Sequence, residues 1–393
     1  MKKLTRSLLL LSFVIVAWLC FWPVPAEPVS WNAPEAPGYV GPHAVNQKLN
    51  DLNIIPLDGG EGPEHVVLGP DSLLYMAVAS GNILRMKPDG SELEVFVNTE
   101  GRVLGFDFDA AGYLIAADAV KGLLSISPGG FIEVLVHAIN GKPVCYANSV
   151  VVASDSMIYF SEASTRFAPR LWGGTFEASV LDIIEQSASG RILRYNPQTK
   201  SIRIVASGFS FANGVALSDD EKTLFVNETG RYRVWKVAVS AENVDVNTDS
   251  NLASILLDNL PGYPDNLLRG TDGKIWLGFA KPRSPIVDML ADKPFLRKVI
   301  LRLPRALWPV PKAYGHVIAF TEDGIIVSDL QDPTGQYPET TAVTETEDRL
   351  YIQSLHAKGL GWLPREKKEK KEKVEKMSAN QEVVKKREEA AQP

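Results

Sequence analysis

The feature that most constrains this chain is a phrase that recurs along its middle: a short alternating apolar run, a turn rich in Asp or Gly, an apolar pair and a second run. It appears as EHVVLGPDSLLYMAVASGNILRMKPDG, LGFDFDAAGYLIAADAVKGLLSISPGG, NSVVVASDSMIYFSEAS with GRILRYNPQTKSIRIV, NGVALSDDEKTLFVNETGRYRVWKVAV and DNLLRGTDGKIWLGFAK, and more weakly as TAVTETEDRLYIQSLHAKGLGWL. Alternation at period two, bounded by turn residues, is the pattern of half-buried strands. Four-stranded units in tandem cannot bury both faces alone, so they stack radially. The expected fold is all-β, a six-bladed β-propeller over residues 46–365. HVIAFTEDGIIVSDLQDPTG is expected to give outer strands of the fifth blade. A strand near LNDLNIIPL is expected to close the ring against the last blade and cover an exposed edge.

Outside the repeats the chain changes character. Lys2, Lys3 and Arg6 precede 20 uncharged residues, Ser7 to Ala26, enough for a transmembrane helix. Residues 1–26 therefore read as a single-pass membrane anchor, with the basic flank keeping the N-terminus cytoplasmic and the propeller on the extracytoplasmic side. A cleaved signal peptide is the competing reading, since Leu8–Trp22 is also the length of such an apolar core. Val24-Pro25-Ala26 is a poor small-x-small cleavage site, and Trp18 and Trp22 suit a membrane interface, which favours the anchor. Residues 27–45 are rich in proline and read as an extended linker. Residues 366–393 form a charged tail without the apolar content to bury a core. Two cysteines, Cys20 in the anchor and Cys145 in the body, build neither an internal disulfide nor a thiolate metal site. A net charge of −6 offers no basic field, so nucleic acid is not an expected partner.

Two insertions interrupt the rhythm, RFAPRLWGGTFEASVLDIIEQSA in the third unit and KPRSPIVDMLADKPFLRKVILRLPRALWP in the fifth. Their apolar content suits a lid or a membrane-facing patch, and packing on the propeller side is the alternative.

Aligned on their internal aromatic residue, the units reveal a constellation. Glu64, Asn148 and Asp265 stand 11 residues ahead of Tyr75, Tyr159 and Trp276, and Asn213 stands 12 ahead of Phe225, with the extra residue taken up in the turn SDDEKT. Four units thus place an oxygen-bearing side chain at one structural position. If that position begins the innermost strand, all four converge on the channel. Two carboxylates and two amide oxygens suit a hard divalent cation, and calcium tolerates the wide geometry of a channel better than magnesium. Zinc is disfavoured by the absence of a His or Cys cluster at ligand spacing. Taken singly, each of these residues also fits a turn or cap. Asn266, beside Asp265, either adds a ligand or caps the strand. Asp118 and Glu228 follow the second strands of their units, where turn hydrogen bonding is their expected role. His65 and His316 are auxiliary base candidates, with His65 expected to point away from the channel by strand alternation.

The phrases GPEHV, ADAVKGLLSI, YANSVVV, FANGVALSDDEKTLFVNE and GYPDNLLRGTDGKIWLG, in this order and spacing, resemble the strictosidine synthase-like branch of the propellers that include paraoxonases, gluconolactonases and diisopropyl fluorophosphatase. The resemblance runs from about Gly62 to Leu363. It implies that Glu64, Asn148, Asn213, Asp265 and Asn266 ligate calcium in the channel. Two departures accompany it. Leu104 precedes Gly105 where paraoxonases carry a histidine, and Thr340-Thr341 stands where strictosidine synthase has its catalytic glutamate, with Glu339 adjacent. The expected activity is calcium-dependent hydrolysis of a small-molecule ester or lactone, with Asp265 as catalytic nucleophile or general base. A non-catalytic binding or scaffold propeller with structural calcium is the alternative.

Overall fold

Each repeated phrase folds into an antiparallel sheet, to which the third unit adds a short parallel strand, Val244–Asp245, in the computed structural model, which describes residues 2–248 and 250–365. The sheets follow one another around an axis as six blades. Their innermost strands are His65–Leu68, Val103–Phe108, Ala147–Val152, Ala212–Leu217, Gly262–Arg269 and Thr340–Glu345. Asn53–Pro56 pairs antiparallel with Gly359–Pro364, so the N-terminal strand closes the last blade and removes the open edge. Gly315–Thr321 and Ile326–Asp332 complete blade five. The charged tail expected at 366–393 lies outside the described residues.

Strand pairing explains the spacing irregularity. Leu68 pairs with Leu74 in blade one, whereas Leu217 pairs with Leu224 in blade four, so that turn is one residue longer. The core lies between blades, where buried residues such as Phe225, Leu267, Leu277 and Phe320 interlock. Close to the axis the strands converge until side chains no longer fit. A Cβ on Gly214 would sit 2.3 Å from the Leu267 backbone nitrogen, so glycine is needed there.

The insertions become helices above the channel mouth rather than on the propeller side. Among the described residues the helices are α1 (Lys2–Phe21), α2 (Pro169–Trp172), α3 (Thr175–Glu185), α4 (Pro285–Met289) and α5 (Pro294–Arg302). Helix α1 is exposed, apolar and long enough to cross a bilayer, a candidate membrane anchor. Its C-terminal carbonyls are capped by the last residue of α5. Arg302 donates to Trp22 O at 2.6 Å and to Leu19 O at 2.9 Å, a cation at the negative end of the helix dipole.

The proline-rich segment after α1 is extended, as its prolines dictate, yet it is fastened rather than free. Val29 N donates to Glu185 O at 2.8 Å, Arg283 Nη2 to Pro34 O at 2.5 Å and Asn259 Nδ2 to Glu35 O at 2.9 Å. The segment is a strap across the two insertions. The buried Arg297 joins all three parts, donating to Ile184 O at 2.7 Å, to Ala291 O at 3.0 Å and to Val29 O.

Candidate active site in the channel

A cavity of about 670 Å³ occupies the channel mouth beneath the helical insertions. Glu64, Asn148, Asn213 and Asp265 line it, each in or immediately ahead of a different innermost strand and each no more than 5% exposed. The strands are irregular where these side chains emerge. Pairing shifts register between Ala147 and Val150, between Ala212 and Val215, and between Pro264 and Leu267. Such bulges re-aim side chains, here toward the axis, where plain alternation would send neighbouring residues to opposite faces.

The donor chemistry fits a cation. Buried amide oxygens ordinarily find a hydrogen-bond donor, but the Oδ1 atoms of Asn148, Asn213 and Asn266 have no such partner. The Asn213 amide is oriented by its nitrogen, which donates to Asp265 Oδ1 at 2.8 Å. Asn266 is fully buried, and its nitrogen donates to Glu64 O at 3.3 Å, tying blade five to blade one. Thr341 Oγ1 donates to the same carbonyl at 2.6 Å. Asn227 Nδ2 donates to Asp265 O at 2.6 Å. Asn213 and Asn266 are thus oriented by their amide nitrogens, and the amide oxygens of Asn148, Asn213 and Asn266 remain to be satisfied.

Electrostatics point the same way. Burial, then the Glu64 charge, push the Asp265 carboxyl well above the usual carboxylate range, against the Asn213 hydrogen bond. Burial also raises Glu64, opposed by the Arg102 guanidinium that pairs with it. Two buried carboxylates and the unpartnered amide oxygens of Asn148 and Asn213 face one cavity, a set that a divalent cation would neutralise and satisfy, whereas Asn266, also unpartnered, is not among the wall residues.

The remaining wall residues divide by position. Leu104, Val120, Phe176, Ile183, Phe211 and Trp308 make much of the upper wall apolar. Glu339 also lines the cavity, but it is bound to Lys281 and His356 at the rim. Burial would raise its carboxyl, and the hydrogen bonds from His356 and Lys281 outweigh that and hold it low. His65 lies between blades one and two with Nε2 2.9 Å from Phe106 O, away from the cavity as alternation requires. His316 is likewise elsewhere, 2.9 Å from Asp329. Neither histidine can serve as a base in the channel. Asp118 and Glu228 are turn and strand-end acceptors: Asp118 takes Val120 N at 2.9 Å and Glu228 takes Ser210 N at 2.8 Å. Arg102 was not foreseen. It lies two residues ahead of Leu104, outside the repeating position, and no spacing rule announces it.

A six-bladed propeller with oxygen donors converging on a lidded channel is a recognisable class of protein, and sequence comparison narrows it. The family profile for the strictosidine synthase-like N-terminal region matches residues 41–86, and that for strictosidine synthase matches residues 148–242. The strictosidine synthase-like 7 protein of Arabidopsis thaliana is 31% identical over 70% of this chain and 70% of its own length. The chain belongs to the strictosidine synthase-like family. The adipocyte plasma membrane-associated protein of Salmo salar is 28% identical over 89% of this chain and 86% of its own. Among solved structures, a gluconolactonase of Xanthomonas campestris superposes with a TM-score of 0.56 at 19% identity, covering 87% of this chain and 98% of that one. The calcium-binding protein regucalcin of Agrobacterium tumefaciens gives 0.53 at 13% identity, covering 79% and 92%. At these identities the structural likeness is one of fold.

Proposed function

We propose that this protein is a calcium-dependent hydrolase of esters or lactones, tethered to a membrane through α1. The observation that carries the proposal is the cavity itself: a mostly apolar chamber whose floor presents two buried carboxylates and unpartnered amide oxygens. Glu64, Asn148, Asn213, Asp265 and Asn266 would hold the ion, a donor set of hard oxygens suited to calcium. Calcium bound there supplies Lewis-acid polarisation of a carbonyl oxygen.

The chain's own residues do the rest. Asp265 faces the cavity and serves as nucleophile or as general base toward a water. Asn213 orients that carboxylate through the 2.8 Å bond to Oδ1. The apolar wall binds the body of the substrate and excludes bulk water, which strengthens electrostatic interactions within. Glu339, committed to Lys281 and His356, is not a free base, and Thr341 is spent on the Glu64 carbonyl. Condensation of an amine with an aldehyde through a glutamate at this end of blade six is therefore not the favoured chemistry.

The basic residues in the first turns of α1 support an orientation with the N-terminus in the cytoplasm and the propeller outside, close to the bilayer because α5 grips the end of α1. Protease added to sealed vesicles carrying the protein with its native topology should digest the propeller only from the extracytoplasmic side; digestion from the cytoplasmic side would reverse the orientation. The activity itself is tested with the full chain in detergent against aryl acetates and small lactones, before and after chelation. Turnover that vanishes with chelator and returns with calcium is expected. A clean null across both substrate classes, with calcium still bound, would identify the protein as a binding propeller.

A further inference from the structure

A second group of ligand-type side chains lies outside the channel, where the strap meets the outer edge of blade five. His43 sits on the short turn Gly41–His43, His316 on Gly315–Thr321 and Asp329 on Ile326–Asp332. His43 Nδ1 and His316 Nε2 each lie 2.9 Å from the same atom, Asp329 Oδ2. The two rings stand nearly perpendicular, at 81° with centroids 5.8 Å apart, and the potential ligand atoms all fall within 4.8 Å of one another. The other carboxylate oxygen is already fixed: Asn46 Nδ2 donates to Asp329 Oδ1 at 3.0 Å and Gln331 Nε2 at 2.5 Å. His316 is buried, with its ring 4.5 Å from Phe279 and 5.7 Å from Tyr39. His43 keeps 12% of its side chain exposed, so solvent reaches one side of the group. None of these residues lines the channel cavity.

We propose that His43 Nδ1, His316 Nε2 and Asp329 Oδ2 form a binding site for a zinc-class divalent cation, with water completing the coordination. Two imidazoles and a carboxylate are a borderline-soft set that suits zinc rather than calcium. Adjacent ligands of a tetrahedral zinc at bonds near 2.0 Å stand about 3.3 Å apart, so the 2.9 Å separations need to open by only a few tenths of an ångström. The amide donors on Oδ1 act as the outer-sphere partners that orient a ligating carboxylate. Burial pushes the Asp329 carboxyl up, but the hydrogen bonds from His316, His43 and Gln331 hold it far below the usual range, so it offers a full negative charge. Burial also lowers the pKa of His316 and favours its neutral ring, and cation binding at Nε2 requires the ring proton shared with Asp329 to move to Nδ1.

The site would act as a staple. Residues 46–49 cover the outer strand of blade five, with Leu49 N donating to Gln331 O at 3.0 Å and Gln331 N to Asn46 Oδ1 at 3.0 Å. A cation shared between His43 and two blade strands fastens to the propeller the segment that leads to α1.

The test uses the full chain in detergent, stripped of metal and restored with calcium, then titrated with zinc chloride by calorimetry and with cobalt chloride by visible absorption. One zinc per chain, a raised Tm and cobalt ligand-field bands are expected. His43→Gln keeps a donor for Asp329 but removes the imidazole ligand. It should weaken zinc binding by more than the roughly 10- to 100-fold typical of losing an outer-sphere partner, with calcium binding unchanged. Zinc affinity equal in wild type and His43→Gln would overturn the proposal. If the variant fails to fold, the wild-type cobalt spectrum decides alone: absence of ligand-field bands at stoichiometric cobalt would mean that the trio is a metal-free hydrogen-bonded clamp.

Discussion

Asp265→Asn should reduce turnover of an aryl ester or lactone by roughly 100- to 10,000-fold, the range a positioned general base contributes, while calcium affinity falls far less. The amide keeps an oxygen that can still accept from Asn213 Nδ2, now at 2.8 Å, and can still face an ion. What it loses is the carboxylate able to attack or to take a proton. The split between turnover and metal affinity is the informative quantity, measured by initial rates and calcium titration on one preparation. A substitution that lowers both equally would make Asp265 a ligand and nothing more. Activity that survives both the substitution and chelation would place hydrolysis elsewhere on the molecule. Thr341→Ala provides the contrast. It removes one of the two donors to the Glu64 carbonyl and leaves Asn266 Nδ2, a stability cost of about 0.5–1.5 kcal/mol, without removing an acid or base.

Arg297→Ala should destabilise the roof of the cavity more than other single changes in the lid. Its guanidinium is fully buried and feeds three backbone carbonyls, Ile184 O in α3, Ala291 O between α4 and α5, and Val29 O in the strap. Burial lowers its pKa to about 10, still well above neutrality, so the group remains a cation with strong donors. Truncation takes the Arg297 donors from Ile184 O and Val29 O, at about 1–3 kcal/mol for each that water cannot reach, leaves Ala291 O with Trp31 N alone at 3.2 Å, and opens a void besides. Thermal melting should show a Tm several degrees lower, and limited proteolysis should cut within residues 169–186 and 27–35 sooner than in wild type. Arg297→Lys, with a shorter reach and fewer donors, should recover part of the loss. An unchanged Tm with unchanged protease resistance would mean that the strap and insertions are held by their apolar contacts.

How much of this was legible in the sequence differs from one feature to the next. Glu64, Asn148, Asn213 and Asp265 were legible because a repeat turns equal spacing into equal position, and all four do line one cavity. The bulges beside Asn148, Asn213 and Asp265 were not, since a register shift belongs to a pair of strands and neither strand alone encodes it visibly. Arg102 escaped for the same reason: its partner Glu64 is a neighbour only after two blades stand side by side. The insertions could be flagged as interruptions, but which mouth of the channel they cover depends on how the helices return across the propeller. The prolines of residues 27–45 fix φ and so predict extension. They say nothing of the carbonyls that Arg283, Asn259 and Arg297 capture. His43 and His316 are far apart in sequence, and the absence of close ligand spacing hid their meeting at Asp329.

Calcium stoichiometry tests the central claim most directly. Full-length protein purified without chelator, dialysed against calcium-free buffer and analysed for bound metal should retain or rebind about one calcium per chain, at a site of six to eight oxygens including water. In the double variant Glu64→Gln with Asp265→Asn, which removes both carboxylate charges from the channel floor, that calcium should be lost while the folded far-ultraviolet signature remains. No stoichiometric calcium in the wild-type protein, or the same affinity in the double variant, would contradict the account.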